Sequence, residues 1–276
     1  MIRPVLAAAA VALAFTALPA QAADAALKAA IAGPQRAPEN VARDGARHPG
    51  ETLTFWGVKP KLTVIELSPG GGYWTEILAP YAKATGGTYV ATAADLDNPK
   101  LSEAGKKARA SFEAKYADQS KYGAIRYVNF GPVSGPLGAP NSADVVITAR
   151  NVHNWMMQGN LDKVLKDAHA VLKPGGVLAV EEHRADPKPE LPGVSNGYVS
   201  TATVIAAAEK AGFKLAARSE VNANPKDGKD HPFGVWTLPP SRWTGPNGKA
   251  DPAFDRTKYD AIGESDRMTL RFVKAS

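Results

Sequence analysis

A carboxylate and a run of three glycines lie close together where an apolar, β-rich segment ends. Glu66 is near the end of residues 62–67, and glycines occupy residues 70–72, just before a predicted helix. Glycines allow a tight turn and a close approach of the backbone to a ligand, and the start of a helix offers free N–H groups. A carboxylate at the end of a buried strand is costly without a partner, which favours a cationic ligand. The pattern predicts a ligand-binding turn with one negative side chain.

The spacing of the glycines narrows the choice of ligand. A dinucleotide-binding loop has the pattern G-x-G-x-x-G, and the third glycine counted from Gly70 would fall on Thr75, which disfavours NAD. A phosphate-binding loop needs a lysine followed by serine or threonine after its glycines, and none follows here. Asp95 and Asp97 come just after the second predicted strand, roughly 20 residues beyond the glycines, where an acid binds ribose hydroxyls. These features favour a nucleoside cofactor with a cationic end, such as a sulfonium.

A second polar group follows the fourth and fifth predicted strands. Asn151 and His153 follow the fourth strand, and Glu182 and His183 come at the end of the fifth. Neighbouring parallel strands end at the same edge of a sheet, so we expect these side chains to open onto one crevice. Transfer of a group to an oxygen or nitrogen needs alignment and the removal of one proton, and histidine suits this near neutral pH. His153 and His183 are therefore the candidate catalytic residues.

Two alternatives for these histidines remain open. A histidine at a strand end is often a hydrogen-bonded structural residue. His153, Glu182 and His183 also suit a metal ion by residue type, but their scattered positions match no recognised ligand spacing, so no metal is assigned. The structural role is the more frequent one for such a histidine, and His153 and His183 are kept as the candidate catalytic residues.

The elements that position these residues alternate between strand and helix from residue 61 onwards. Strands are predicted at residues 62–67, 88–92, 125–130, 144–149, 176–182, 213–221 and 268–273, with helices between most of them. This pattern indicates the α/β class, with a Rossmann-like, doubly wound, seven-stranded and mostly parallel sheet that has one antiparallel strand and helices on both faces. We also predict an N-terminal helical flap at residues 23–60 and a long loop insertion at residues 222–266, between the last two strands.

The start of the chain predicts a signal peptide at residues 1–22. An apolar stretch at residues 5–18 follows Arg3, and Ala20-Gln21-Ala22 supplies a small-x-small cleavage signal. The mature protein is expected to begin at Ala23, to be periplasmic or secreted, and to have no stable membrane insertion after cleavage.

Composition excludes several classes of site and partner. The 276 residues include no cysteine, which excludes disulfides, zinc ribbons and a thiol nucleophile. The formal net charge of +6 comes from scattered basic residues with no run of five, which argues against a nucleic-acid partner. A small-molecule substrate is expected, and the oligomeric state is left open.

Residues 66–72 resemble motif I of the class I S-adenosylmethionine (SAM)-dependent methyltransferases, which reads acid-x-Gly-x-Gly-x-Gly; Ser68 stands at the first glycine position. Residues 143–155 resemble the fourth-strand motif of that superfamily, residues 171–176 the turn before its fifth strand, and residues 268–273 its antiparallel seventh strand. The resemblance implies SAM as the cofactor. The residues that it implies for binding SAM are Glu66, Ser68, Gly70, Gly72, Asp95 or Asp97, and Asn151.

The chain is also similar to a set of predicted bacterial secreted methyltransferases. They share a leading Arg-Asp-x-x-Arg-x-Pro segment, here residues 43–49, an Asn-x-His-x-Trp segment, here residues 151–155, and a closing Asp-Arg…Arg-Phe-x-Lys segment, here residues 266–274. The similarity covers residues 39–274 and implies a SAM-dependent methyltransferase with an unidentified small-molecule acceptor.

An exported, non-catalytic ligand-binding protein that reuses the methyltransferase fold is the alternative. SAM is made in the cytoplasm, so an exported methyltransferase would need a supply of its cofactor, and Ser68 departs from motif I. The intact Glu66, Gly70 and Gly72, together with a ribose-binding acid, favour the enzyme.

Overall fold

The computed structural model describes residues 24–275 of the chain. The predicted signal peptide and the cleavage site before Ala23 lie outside these residues. Within the described range, no helix is both long enough and apolar enough to cross a membrane.

The described residues form eight strands and eleven α-helices. The strands are β1 (Thr63–Leu67), β2 (Thr88–Ala94), β3 (Arg126–Phe130), β4 (Ala143–Ala149), β5 (Leu172–His183), β6 (Phe213–Ser219), β7 (Pro232–Val235) and β8 (Arg267–Lys274). The helices are α1 (Ala25–Ile31), α2 (Pro38–Val41), α3 (Asp44–Arg47), α4 (Pro49–Phe55), α5 (Thr75–Thr85), α6 (Glu103–Lys115), α7 (Gln119–Tyr122), α8 (Val152–Met157), α9 (Leu161–Val171), α10 (Thr201–Lys210) and α11 (Thr257–Ile262).

Seven of these strands form one sheet in the order β3-β2-β1-β4-β5-β8-β6. Strand β8 runs antiparallel to both β5 and β6, and the other neighbours pair in parallel. The predicted seven-stranded, mostly parallel sheet with one antiparallel strand is confirmed. The direction of the strand order reverses between β1 and β4, and ligands of open α/β sheets bind at the carboxyl edge of such a point. Glu66 lies there, beside Ile147 of β4.

Helices cover both faces of the sheet, as predicted. On one face α5 packs onto β1 and β2, and α1 packs against α5 and α4, with Leu53 and Val64 in the same apolar cluster. On the other face α9 and α10 pack onto the sheet, with Leu165 and Ile65 in a second cluster. Side chains of a strand alternate between faces, so Glu66 points to the face of Val64, where α5 lies. The acidic side chain is therefore directed toward the helices that surround the glycine turn.

The predicted helical flap forms α1 to α4 and is tied to the sheet by buried charges. Glu264, close to the start of β8, accepts hydrogen bonds from Arg43, Arg47 and Arg267. Nε of Arg267 also lies 3.1 Å from Oε1 of Glu181 on β5. Burial raises the pKa of Glu264, but the surrounding arginines, Arg47 first, bring it well below its usual value. These ion pairs hold the flap against the carboxyl edge of the sheet.

The predicted loop insertion at residues 222–266 contains the short elements β7 and α11 and is organised by a buried aspartate. Asp227 accepts hydrogen bonds from Tyr198 Oη at 2.9 Å and from the backbone N–H of Asp266 at 2.7 Å. Nε2 of His231 lies 2.8 Å from Oδ1 of the same carboxylate. The insertion is thereby fixed beside the end of β5.

Candidate active site

The turn between β1 and α5 has the backbone that its glycines predict. Gly70 and Gly72 have φ of 58° and 85°, in the left-handed region that favours glycine. A Cβ at Gly72 would lie 1.8 Å from Tyr116 Oη, so packing requires glycine there. A Cβ at Gly70 would meet no atom within 4 Å, which leaves open space for a ligand against the backbone. Gly72 is needed by the protein's own packing, and Gly70 is free to serve a ligand.

Ser68 adopts a glycine-like conformation at the position where motif I has its first glycine. Its φ is 50°, and a left-handed residue other than glycine typically costs about 1–2 kcal/mol. The Ser68 N–H donates to Thr92 Oγ1 at 2.8 Å, and Asn151 Nδ2 donates to the carbonyls of Leu67 and Ser68. Arg150, directly after β4, has a φ of 60°. Strained residues therefore flank the switch point, which is typical of functional sites.

Glu66 is buried, with only one of its two oxygens engaged. Its Oε2 accepts hydrogen bonds from Thr75 Oγ1 at 3.1 Å and from Tyr89 Oη. No hydrogen bond from the described residues reaches Oε1, and Glu66 lines a cleft between the turn and the flap. Burial raises the pKa of Glu66 to about 7, although the bonds from Tyr89 and Thr75 and the charge of Arg47 oppose the shift. A cation beside Oε1 would favour the ionised carboxylate.

Arginines line the same cleft. Arg43 and Arg47 come from the flap, and Arg150 follows β4. Arg47 is 1% exposed, and neither its Nη2 nor Nε of Arg150 has a hydrogen-bond partner among the described residues. Burial, reinforced by the charge of Arg47, lowers the pKa of Arg150 to about 9. The cleft therefore combines one carboxylate with guanidinium groups that still have donors to offer.

The cleft encloses about 110 Å³. Complete ligand pockets typically measure roughly 300–1,000 Å³. Its enclosed part therefore fits one polar end of a ligand, and the remainder of the ligand would extend beyond it.

The two candidate ribose-binding acids differ in their surroundings. Asp95 directly follows β2 and is buried, and its Oδ1 accepts a hydrogen bond from the Asp97 N–H at 3.1 Å. Asp97 is exposed, and its Oδ2 accepts a hydrogen bond from Asn129 Nδ2 at 2.8 Å. The carboxylate of Asp97 is thus engaged with β3, whereas Asp95 stays at the end of β2, next to β1.

His153, Glu182 and His183 come together at the ends of β4 and β5. The ring centroids of the two histidines are 5.3 Å apart. Glu182 Oε1 lies 2.9 Å from His153 Nδ1, and Oε2 accepts a hydrogen bond from the His153 N–H at 3.1 Å. Nδ1 of His183 lies 2.5 Å from Ser265 Oγ. Burial and the neighbouring His153 lower the pKa of His183 well below its usual value, so its ring is neutral at neutral pH.

Most of the predicted site residues fall into two groups, whereas Gly72, Asp95 and Asp97 belong to neither. Those that line the cleft are Glu66, Ser68, Gly70 and Asn151. The histidine cluster begins two residues beyond Asn151, with His153. Sequence reasoning missed the cleft arginines of the flap and the contact from Ser265, since these meet the site only through the tertiary fold. The one available signal was the i, i+4 spacing of Arg43 and Arg47, which is typical of a shared helical face.

Residues 65–180 match the protein-family model described as a methyltransferase domain. This segment runs from β1 into β5 and includes the glycine turn, Arg150 and His153. No curated protein sequence matches the chain.

Solved structures share the fold at low sequence identity. A SAM-dependent methyltransferase from Aquifex aeolicus superposes with a TM-score of 0.52 at 16% identity, covering 85% of this chain and 93% of that chain. A chain in the complex of the Haloferax volcanii Trm112 methyltransferase activator with a putative methyltransferase superposes with a TM-score of 0.51 at 16% identity. The match covers 93% of this chain and 100% of that chain. The [4+2]-cyclase SpnF superposes with a TM-score of 0.51 at 14% identity, and the match covers 88% of this chain and 85% of that chain. At these identities the likeness is one of fold alone.

The raised pKa of Glu66 predicts a pH-dependent cost to stability in the ligand-free protein. The folded state keeps the proton up to about pH 7 and the unfolded chain loses it near the ordinary glutamate pKa of 4.5, so stability should fall as pH rises between these values. Relative to Glu66→Gln, the wild type should lose about 2–3 kcal/mol of unfolding free energy between pH 5 and pH 8. Urea denaturation at both pH values measures this difference.

Glu103→Gln is the matched control for this comparison, because its exposed carboxylate pairs with Lys106 on the surface of α6. Its stability relative to the wild type should be nearly the same at both pH values. An equal pH response of the wild type and Glu66→Gln would contradict the account of Glu66.

Proposed function

We propose that this protein is a methyltransferase that binds SAM in the cleft beside Glu66 and transfers a methyl group to a small-molecule acceptor at the ends of β4 and β5. SAM, when bound, supplies the methyl group from its sulfonium. The observation that carries the proposal is the charge pattern of the cleft, in which a carboxylate shares the space with unpartnered guanidinium nitrogens of Arg47 and Arg150. The methionine end of SAM carries an ammonium, which can pair with Glu66, and a carboxylate, which can pair with the two arginines.

The residues of the cleft fit both charges of the methionine end of SAM. Glu66 Oε1 is suited to the ammonium, and ionisation of Glu66 would follow from the contact. Arg47 Nη2 and Arg150 Nε are suited to the carboxylate, because guanidinium–carboxylate hydrogen bonds are strong and directional. The open space at Gly70 allows the ligand to lie against the backbone at the start of α5.

Asp95 is the better candidate for the ribose hydroxyls. It directly follows β2, beside the glycine turn, and is buried. Asp97 is exposed and already accepts a hydrogen bond from Asn129. Asp97 then serves to position Asp95, through the N–H that it donates to Oδ1.

His153 is proposed to deprotonate or orient the methyl acceptor. Glu182 holds the ring through Nδ1 and the backbone through the His153 N–H. This arrangement fixes the ring and leaves Nε2 for the acceptor. Methyl transfer to oxygen, nitrogen or sulfur needs an aligned acceptor that loses one proton, and both needs can be met at this position. His183 is the second candidate for the same task.

The alternative, a non-catalytic ligand-binding protein, is not favoured. The matched methyltransferase domain covers both the glycine turn and His153. The fold by itself would leave the question open, since a [4+2]-cyclase shares it. The zwitterion-matching cleft beside a pair of histidines is what supports methyl transfer.

A cofactor-binding test separates SAM from NAD. Calorimetry should show saturable binding of SAM and S-adenosylhomocysteine and none of NAD. Gly70→Val should abolish SAM binding, because the branched side chain would fill the open space beside the backbone. Gly86→Val is the matched control: its φ is 72°, no atom lies within 4 Å of its Cβ position, and it caps α5 at the end away from the turn.

The two glycine variants carry similar backbone strain, so both are expected to lose stability while only Gly70→Val loses the ligand. Binding of NAD in place of SAM, or full SAM affinity in Gly70→Val, would refute the assignment.

A turnover test addresses His153. A base acting in the transition state contributes roughly 10²–10⁴ in rate, so His153→Ala should lower turnover on an identified acceptor at least about tenfold. Its SAM affinity should be nearly unchanged, since the cleft is lined by other residues. His183→Ala is the comparison and His169→Ala the control, because His169 packs on Phe213, at the start of β6. Full turnover in His153→Ala would exclude its role.

Export is proposed from the sequence of residues 1–22, and with it membership among bacterial secreted methyltransferases. The basic Arg3, the apolar stretch and the Ala20-Gln21-Ala22 signal support it. The intact mass of protein from a periplasmic extract should correspond to a chain beginning at Ala23. A cytoplasmic protein that retains residues 1–22 would contradict export and leave the cofactor assignment untouched.

A further inference from the structure

We propose that His153, Glu182 and His183 together bind a divalent transition-metal ion, for which Zn²⁺ is the representative probe. The fold brings one potential ligand atom from each residue to within 4.8 Å of the others. Two imidazoles and one carboxylate form a ligand set that zinc and non-haem iron(II) sites use. The sequence offered no recognised spacing for such a site, because the three residues converge only when β4 and β5 pair.

The distances suit ligands of a single ion. Zinc lies 2.0–2.2 Å from nitrogen and oxygen ligands, which puts adjacent ligand atoms roughly 3 Å apart. His153 Nδ1 and Glu182 Oε1 are 2.9 Å apart. The ring centroid of His183 lies 5.3 Å from the ring centroid of His153. The three ligand atoms lie within 4.8 Å of one another, and the farthest of them must move closer before all three contact one ion.

The charge of Glu182 calls for a cation. Its side chain is completely buried. The groups that reach its carboxylate are the backbone N–H groups of His153 and His183 and the ring of His153. Among the described residues no lysine or arginine forms an ion pair with it, whereas neighbouring Glu181 has Arg267. A buried carboxylate without a cation is costly, and a divalent ion held by two imidazoles would remove that cost.

The surroundings of His183 match those of a metal ligand. Ser265 Oγ engages Nδ1 and leaves Nε2 for coordination, and metal-binding histidines are commonly held through their other ring nitrogen in this way. His183 also keeps 8% of its surface exposed, which leaves a route for an ion.

Three protein ligands leave a coordination position open for a further group. Resting on the proposed function, we assign that position to the oxygen or sulfur of the methyl acceptor, which makes a hydroxyl- or thiol-bearing small molecule the expected substrate class. A metal ion lowers the pKa of a bound hydroxyl or thiol, so the acceptor loses its proton to solvent on binding and needs no free histidine base. With the ion bound, His153 orients the acceptor through the ion, and this replaces the direct contact from Nε2.

The test is metal binding by the mature, chelator-treated protein. Calorimetry with Zn²⁺ and visible absorption with Co²⁺ should each show one saturable site. Ser265→Ala should weaken Zn²⁺ binding by about 10–100-fold, the usual effect of losing an orienting partner, and His183→Ala should weaken it further. His169→Ala should bind as the wild type does, since His169 lies on α9 against Phe213.

The proposal would be overturned if neither Zn²⁺ nor Co²⁺ binds the wild type. Equal Zn²⁺ affinity in the wild type and His183→Ala would also overturn it. If His183→Ala does not fold by circular dichroism, Ser265→Ala decides: unchanged Zn²⁺ affinity counts against the site. Gly70→Val should keep its Zn²⁺ affinity while losing SAM. Metal binding without SAM binding in the wild type would therefore contradict the proposed function alone, and SAM binding without metal binding would contradict the metal site alone.

Discussion

The burial of three carboxylates at the carboxyl edge of the sheet is the constraint on which the rest of the site depends. Glu66, Glu181 and Glu182 are all buried, and an unpaired buried charge is costly, so each carboxylate fixes the groups around it. Glu66 is held by two hydroxyl groups and keeps its proton up to about pH 7. Glu181 pairs with Arg267, and Glu182 is reached by backbone N–H groups and by His153. The three carboxylates therefore differ in their partners: hydroxyl groups for Glu66, an arginine for Glu181, and backbone N–H groups with a histidine ring for Glu182.

Strand β5 divides these functions between the two faces of the sheet. Side chains alternate along a strand, so Glu181 and Glu182 point to opposite faces. Glu181 joins the arginine network that holds the flap over the cleft beside Glu66, through Arg267 and Glu264. Glu182 instead holds His153 on the opposite face, where we propose that the acceptor binds. Two consecutive residues therefore connect both halves of the proposed reaction, and a shift of β5 by one residue would exchange their environments.

The sequence predicts what local pattern determines. Strand–helix alternation was sufficient for the seven-stranded sheet, and the glycine run was sufficient for the left-handed turn at Gly70. The positive φ of Ser68 could not be read from the sequence, because serine normally avoids it and only the fold imposes it. The approach of Arg47 to Glu66 could not be read from the sequence either, because it depends on how the flap packs. The convergence of His153 with Glu182 followed in part from the expectation that strands four and five are neighbours.

The central claim is that the cleft between the glycine turn and the flap holds SAM by its methionine end. Native mass spectrometry of the protein, isolated without added ligand and then again after incubation with SAM, measures this most directly. The account predicts a single adduct with the mass of SAM or S-adenosylhomocysteine, lost when Arg47 and Arg150 are both replaced by methionine. A protein that carries no such adduct after incubation, or that retains it undiminished in the double variant, would contradict the account.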